Sequence, residues 1–163
     1  MKIGVRRFFE SENEREEFSF ALDLSDVEIW GHRPLNAPVV IEGVLQSRSS
    51  IVTLAYKASA QLHTFCDRCL CEFDRPISFS FSYTLVRQLQ DRDREDILPV
   101  EGDDLDLDEL CTSDIVLNLP LKFLCREDCK GLCPICGKNK NLSDCDCLNS
   151  ETDPRLAALK ALL

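Results

Sequence analysis

Apolar and polar side chains alternate along three stretches of the chain. In residues 51–63, Leu54 and Tyr56 lie on one side of an extended backbone and polar residues on the other, and 38–46 and 77–86 repeat the pattern. A period of two indicates a half-buried β-strand. A polar turn, QSRSS, joins the first two stretches, so the sequence predicts an antiparallel meander with one packed face. The other face is exposed to solvent or available to a partner.

A helix is predicted after the strands. Residues 106–120 place Leu107, Leu110, Cys111 and Ile115 on one side of a helix, and Pro120 ends the pattern. Together with the meander, this pattern predicts the α+β class: an antiparallel β-meander core with a few helices and a C-terminal cysteine-rich element.

The length of 163 residues suits one compact domain with a small appendage. We expect a β-rich α+β domain over 1–124 and a cysteine-rich, zinc-binding element packed on it over 125–147. The segment 148–163 is predicted to be a C-terminal helix, with Asp153 as its cap and Pro154 in its first turn.

Acidic residues are concentrated between positions 91 and 110. This stretch holds ten acidic residues against two arginines, a net of −8 out of the −10 of the whole chain. Such a run is typical of a solvated, mobile loop, which we expect at about 91–106. The alternative is a mimic of phosphate that holds a basic protein or keeps RNA away from one face.

Ten cysteines stand out in a chain of otherwise ordinary composition. The sequence contains no run of about 18 apolar residues that could cross a bilayer, and its first residues lack the apolar core of a secretion signal. We therefore expect a cytoplasmic protein. Reducing cytosol disfavours stable disulfides and favours metal ligation or redox chemistry.

Eight of the cysteines have the spacing of metal ligands. They include two CxxC pairs, whose two-residue spacer lets both sulfurs face one ion, and Gly137 after the second pair tolerates the left-handed backbone of such a turn. Structural zinc takes four tetrahedral ligands, so we expect one or two Zn²⁺ ions. The candidate ligands are Cys66, Cys69, Cys125, Cys129, Cys133, Cys136, Cys145 and Cys147.

Two partitions of these ligands remain open. The local partition forms one site from Cys133, Cys136, Cys145 and Cys147 and another from Cys66, Cys69, Cys125 and Cys129. The long-range partition joins Cys66 and Cys69 to Cys133 and Cys136 and leaves the other four cysteines spare.

Other uses of thiols are weighed beside zinc. Cys71 and Cys111, outside the pattern, are interpreted as small apolar fillers. The CPIC sequence of Cys133 and Cys136 also resembles a dithiol redox centre, although such a centre should open a helix, so a thiol redox protein is the alternative function. The cysteine spacing matches neither run of iron–sulfur ligands that we considered. No catalytic set stands out, and we expect no enzyme.

Basic residues cluster at the N-terminus, at Lys2, Arg6 and Arg7, and again around the cysteines. The second group offsets thiolate charge or forms a small phosphate-contacting face. An acidic chain does not attract RNA through its overall field, because nonspecific affinity comes from lysine and arginine. The candidate phosphate contacts are Lys122, Arg126, Lys130, Lys138 and Lys140.

These motifs together resemble the YceD family. The resemblance rests on LNLPLKFLC, CREDCKGLCPICGKN, a closing CDC and DPRLAAL; it covers nearly the whole chain and is most specific over 117–147. Members of that family are implicated in the accumulation of large-subunit ribosomal RNA. The resemblance implies a ribosome-biogenesis factor whose partner is a ribosomal protein, an assembly factor or large-subunit rRNA. By position, it implies a zinc motif of Cys66, Cys69, Cys133 and Cys136.

Overall fold

The computed structural model describes residues 1–29, 31–88 and 96–147, which belong to two compact units. Unit 1 comprises Met1–Thr64 and Asp74–Leu121, and unit 2 comprises Phe65–Phe73 and Lys122–Leu163. Unit 2 therefore combines the cysteine-rich segment with a turn from the middle of the chain. The expected boundary between residues 124 and 125 assigned that turn to the β-rich domain instead. The predicted helix over 148–163 lies outside the described residues.

The described residues form seven strands and two helices. The three predicted strands correspond to β3, β4 and β5, and the predicted helix to α2. In chain order the elements are β1 (Lys2–Gly4), α1 (Arg6–Glu10), β2 (Arg15–Leu22), β3 (Val39–Arg48), β4 (Ile51–Phe65), β5 (Glu72–Val86), β6 (Ile97–Pro99), β7 (Asp104–Asp106) and α2 (Leu107–Asn118).

Five strands form the main sheet, in the order β2-β3-β4-β5-β6. β2 pairs antiparallel with β3, and β3 pairs antiparallel with β4, as in the predicted meander. β6 pairs parallel with β5 at Thr84–Val86, so the sheet is mixed. The fold is mostly β with two described helices, which fits the predicted α+β class in its coarse form.

The alternation along the strands separates a buried face from an exposed one. Leu54, Tyr56 and Ala58 of β4 are buried, whereas Lys57 between them is exposed. The buried residues of α2 belong to the same apolar core. Cys111 is one of them: it is fully buried, and burial raises the pKa of its thiol to about 11. The interpretation of Cys111 as an apolar filler is thus confirmed.

A polar contact also attaches α2 to the sheet. The hydroxyl of Tyr56, a residue that is only 3% exposed, donates to Asp114 Oδ2, and the Tyr83 hydroxyl donates to Asp114 Oδ1 at 2.8 Å. Burial, and then the Asp114 carboxylate, raise the pKa of both tyrosines. One carboxylate therefore satisfies two hydroxyl groups that the apolar core would otherwise leave without a partner.

The acidic stretch is more ordered than expected. Residues 97–99 and 104–106 are strands β6 and β7, and Asp106 caps α2 by accepting from the backbone N–H groups of Asp108 and Glu109. β7 pairs with β1, so the expectation of a mobile loop is wrong for residues 97–106, because N-terminal backbone groups supply hydrogen-bond partners that local sequence does not show. Residues 91–95 lie outside the described part of the chain.

The N-terminal basic cluster lies against these acidic residues. Lys2 pairs with Asp106 at 3.9 Å, and Arg6 pairs with Asp103 at 3.6 Å. Arg7 pairs with Glu16. This cluster is therefore engaged within unit 1. Neither described helix, at five and twelve residues, has the length and apolar character needed to cross a membrane.

Replacing Asp114 should destabilise unit 1. In Asp114→Ala, two tyrosine hydroxyls lose their acceptor, so the free energy of unfolding should fall by about 2 kcal/mol. Ser113→Ala, at the neighbouring exposed position of α2, should change it by less than about 0.5 kcal/mol. Urea denaturation followed by circular dichroism measures both. Equal effects of the two substitutions would show that the tyrosine contacts do not stabilise the helix.

Candidate metal centres

The structure gathers eight cysteines into two groups of four, both in unit 2. Within each group all the sulfur atoms lie within 4.8 Å of one another. Site A consists of Cys66, Cys69, Cys125 and Cys129, and site B of Cys133, Cys136, Cys145 and Cys147. This is the local partition. The long-range set that the resemblance implies is not formed, because its members are divided between the two sites.

The turn that carries the first CxxC pair is closed by backbone hydrogen bonds. Cys66 N–H donates to the carbonyl of Cys71 at 2.8 Å, and Leu70 N–H donates to the carbonyl of Cys66 at 2.8 Å. Leu70 has a φ of 56°, which residues other than glycine rarely adopt. This left-handed backbone lets the chain turn back so that the carbonyl of Cys71 meets Cys66 N–H.

The two residues between these cysteines attach the turn to the later segment. Asp67 N–H donates to the carbonyl of Phe123, and Phe123 N–H donates back to the Asp67 carboxylate at 2.7 Å. The Arg68 guanidinium donates to the carbonyl of Cys129 at 2.9 Å, and Leu132 N–H donates to the carbonyl of Arg68 at 3.1 Å. Asp67 and Arg68 therefore position Cys125 and Cys129 beside the first pair, a role that spacing alone did not reveal.

The sulfur separations in site A fit a tetrahedral ion. The Sγ atoms of Cys66 and Cys129 are 3.7 Å apart, and those of Cys69 and Cys125 are 3.6 Å apart. Zinc–thiolate bonds of about 2.3 Å at tetrahedral angles separate neighbouring sulfurs by about 3.8 Å, whereas a disulfide requires about 2.05 Å. All ten cysteines are free thiols. The geometry therefore matches ligation and not a disulfide.

A fifth thiol lies beside site A. Cys71 is half-buried, and its sulfur is 3.1 Å from that of Cys69. As predicted, Cys71 is outside the two groups of four and packs partly buried against the cluster, but its contact with Cys69 was not foreseen. The CxxCxC spacing of the sequence was the available signal for this proximity.

Charge accumulates unevenly among the thiols of site A. Burial opposes ionisation of Cys66, but the backbone N–H groups of Cys125, Cys69 and Arg68 outweigh it and lower the pKa of this thiol to about 6. Burial, together with hydrogen bonds from the neighbouring thiols, raises the pKa of Cys125. Burial also opposes ionisation of Cys69, but the backbone N–H of Cys71 outweighs it and lowers the pKa of this thiol. Ionisation of Cys66 and Cys69 is thus favoured and that of Cys125 is opposed, a conflict that a bound cation would remove.

Site B forms around a tight turn. Gly137 N–H donates to the carbonyl of Cys133 at 2.9 Å, and Gly137 has a φ of 72°, as its position after the CxxC pair predicted. The backbone N–H groups of Cys136 and Ile135 lower the pKa of Cys133 to about 6. The contact with Cys136, followed by burial, raises the pKa of Cys147 to about 12. The electrostatic pattern of site A is therefore repeated.

Hydrogen bonds of Asn141, which lies between the cysteine pairs of site B, reach the segment that carries Cys129 of site A. The Asn141 amide donates to the sulfur of Cys129 at 3.3 Å and to Asn139 Oδ1 at 2.8 Å, while its oxygen accepts from Lys130 N–H at 2.8 Å. Amide donors to sulfur help to stabilise thiolate charge. Sequence analysis did not single out Asn141, because polar residues between cysteine pairs are typical of ordinary loops.

The candidate phosphate contacts surround these sites without converging on one point. Lys122, Lys130 and Lys138 are exposed and have no ion pair in the part of the chain that the structure describes. Lys140 is half-buried, and Arg126 lies 3.5 Å from Asp128. The three free lysines are therefore the residues available to a phosphate.

The surroundings of the CPIC turn differ from those of a dithiol oxidoreductase. Residues 134–136 form a turn, and an isolated bridge between Leu132 and Asn139 spans it. The described residues after the turn, 137–147, are not helical. A redox dithiol of the expected kind lies at a helix N-terminus, which lowers the pKa of its nucleophile. In site B, turn N–H groups lower the pKa of Cys133 instead.

Comparisons with known proteins agree with the resemblance in the motifs. A family model described as "Large ribosomal RNA subunit accumulation protein YceD" matches residues 54–163. A protein of Bacillus subtilis (strain 168), named "Uncharacterized protein YlbN", is 28% identical over 129 residues, which cover 78% of this chain and 75% of that protein. No solved structure matches the chain. Because the family model covers more than half of the chain, the protein belongs to the YceD family.

Proposed function

We propose that this protein is a non-catalytic ribosome-biogenesis factor that supports accumulation of large-subunit rRNA. It acts as an adaptor for a basic ribosomal protein or assembly factor, and two zinc ions stabilise unit 2. The membership of the YceD family, whose description names large-subunit rRNA, carries the ribosomal role. The two groups of four thiols support the metal.

Zinc is the ion that suits these donors best. Both sites contain cysteine only, and sets of four thiolates are typical of structural zinc. The ion would neutralise part of the thiolate charge and cross-link the turn at 66–69 to the later segment. A complete set of four protein ligands leaves no open position for substrate, which supports a structural role.

The described residues of unit 2 bury few apolar side chains. Cys66, Cys69 and Cys129 form their buried cluster, with partly buried neighbours such as Phe73 and Leu132. Small units commonly compensate for a limited core with metals. The metal would therefore contribute directly to the free energy of folding.

The distribution of charge favours a basic protein partner for unit 1. Unit 1 contains 11 basic and 21 acidic residues, whereas unit 2 contains eight of each, so the whole net charge of −10 belongs to unit 1. Two ions with four thiolates each would bring unit 2 to about −4. Neither unit then has the positive field on which nonspecific RNA binding depends.

Two specific observations favour other functions. The free lysines Lys122, Lys130 and Lys138 would suit direct contact with rRNA, and the lowered pKa of Cys133 beside the exposed Cys136 would suit thiol redox chemistry. A bound metal would argue against the redox function, since zinc would suppress the reactivity of Cys133 with a thiol reagent such as Ellman's reagent until it is removed.

Metal content should follow the two groups of four. The wild-type protein should retain about two zinc ions after dialysis, and Cys66→Ser and Cys136→Ser should each retain about one, because each substitution breaks one set of four ligands. Cys111→Ser, in unit 1 and away from both sites, is the control and should retain about two. Inductively coupled plasma mass spectrometry measures the content. Loss of both ions from either site variant would indicate a single shared cluster.

The Asp67 carboxylate should influence the affinity of site A without being a ligand. Asp67→Ala removes the acceptor of Phe123 N–H, and loss of such a supporting hydrogen bond typically weakens metal binding by about 10- to 100-fold. Asp144→Ala removes the same charge from an exposed position of unit 2. Competition with a chromophoric chelator measures zinc release from both. The same release rate in the two variants would assign the effect to charge alone.

The adaptor role predicts partners that survive nuclease. A tagged protein should capture ribosomal proteins or assembly factors from bacterial lysate with or without nuclease, and the capture should weaken as salt rises because the acidic unit 1 supplies the attraction. A variant with Lys122, Lys130 and Lys138 all changed to alanine should capture the same proteins. Recovery of large-subunit rRNA alone, lost with nuclease and with the three lysines, would identify an RNA-binding protein instead.

A further inference from the structure

The main sheet has one edge that is only partly covered. β6 pairs with Thr84, Leu85 and Val86 of β5, and no other described strand lies on that side of β5. The stretch Ile77–Tyr83 therefore has β4 on one side and, among the described residues, no strand on the other. It is long enough to pair with a further strand.

The backbone direction along this edge follows from the hydrogen bonds of its covered end. Thr84 N–H donates to the carbonyl of Asp96 at 2.8 Å, and the carbonyl of Val86 accepts from Val100 N–H at 2.9 Å. Strand backbone groups alternate with a period of two, so Ser78, Ser80 and Ser82 direct their N–H and C=O groups to the same open side. Pro76 shares this parity but has no N–H, so it ends the row of donors.

The composition of the edge is also unusual. Ile77–Tyr83, with the sequence ISFSFSY, has no charge, glycine or proline, although proteins usually protect an exposed edge strand with such residues. Phe79 and Phe81 are only partly buried against the core. The opposite edge, β2, is protected, since it begins with Arg15, Glu16 and Glu17.

We propose that the open edge of β5 at Ile77–Tyr83 is a strand-addition site for an extended segment of a basic protein. The three serines offer about six main-chain hydrogen bonds, and alternate side chains of the segment would cover Phe79 and Phe81. A second copy of this chain is disfavoured as the occupant, because unit 1 of each copy carries the whole net charge of −10. The inference deepens the adaptor role and rests on it for the basic character of the partner.

The free protein supplies the first test. Amide hydrogen exchange, resolved by NMR, should be at least about tenfold faster for Ser78, Ser80 and Ser82 than for Phe79 and Phe81, whose N–H groups point to β4. Equal protection that does not change with protein concentration would mean that this chain covers its own edge. Protection that grows with concentration would mean that a second copy does. Either result overturns the proposal.

Matched substitutions at the two edges supply the second test. The probe is the mixture of proteins extracted from large ribosomal subunits and from their assembly intermediates, which carry the assembly factors, and freed of RNA. Ser80→Pro removes a donor from the open side of β5. Ser19→Pro does the same on β2, because Ser47 N–H donates to the carbonyl of Glu14, so odd-numbered residues of β2 point away from β3. Ser80→Pro should weaken capture by at least about tenfold, whereas Ser19→Pro should leave it unchanged.

Two single lysine substitutions test the same site if a proline substitution prevents folding. Ser80→Lys places a positive charge beside the incoming basic segment, and Ser19→Lys places the same charge on the other edge, so only the first should weaken capture. Capture that is equal in the Ser80 and Ser19 variants overturns the strand-addition site and leaves the adaptor role intact. A wild-type protein that captures nothing from the mixture overturns both.

Discussion

Unit 2 brings eight thiols into two groups of four, closer together than thiolate charges alone would favour. Backbone N–H groups lower the pKa of Cys66 and Cys69 in site A and of Cys133 in site B, whereas the pKa values of Cys125 and Cys147 are raised beside them. We propose that a divalent ion resolves this conflict and adds to the small buried cluster that the described residues of unit 2 form. The backbone turns, the Asp67 bridge and the Asn141 amide then serve to hold the sulfurs at the separation that the ion requires.

Unit 1 is stabilised in a different way. Its sheet and α2 share an apolar core, and the hydroxyls of Tyr56 and Tyr83 meet a single carboxylate at Asp114. The acidic residues that dominate its charge are partly used within the unit, where Asp106 caps α2 and Asp103 pairs with Arg6. The remaining negative charge and the uncharged edge of β5 are the features that the proposed adaptor role would use.

Local sequence patterns were sufficient where the determining interactions are local. The alternation around Leu54 and Tyr56 predicted β4, and the spacing of Leu107, Cys111 and Ile115 predicted α2. β7 was missed because its strand geometry depends on pairing with β1, about a hundred residues away in the chain. A run of aspartates has low β-propensity, and only the distant backbone partner overcomes it.

Local sequence also did not determine how the cysteines divide between the two sites. Spacing allowed two groupings, and the structure distinguishes them through contacts made by the residues between the ligands, Asp67 with Phe123 and Arg68 with Cys129. Such contacts join segments that are far apart in the chain, so no periodicity or motif reports them. The contact of Cys71 with Cys69 was not foreseen for a related reason, since it depends on the left-handed backbone of Leu70.

We propose above all that two zinc ions hold unit 2 together, each bound by four sulfurs. X-ray absorption spectroscopy of the purified protein at the zinc edge tests this proposal. We expect about four sulfur neighbours per zinc at about 2.3 Å and no nitrogen or oxygen neighbour. A mixed shell with oxygen or nitrogen, or bound iron with bridging sulfide in place of zinc, would contradict it.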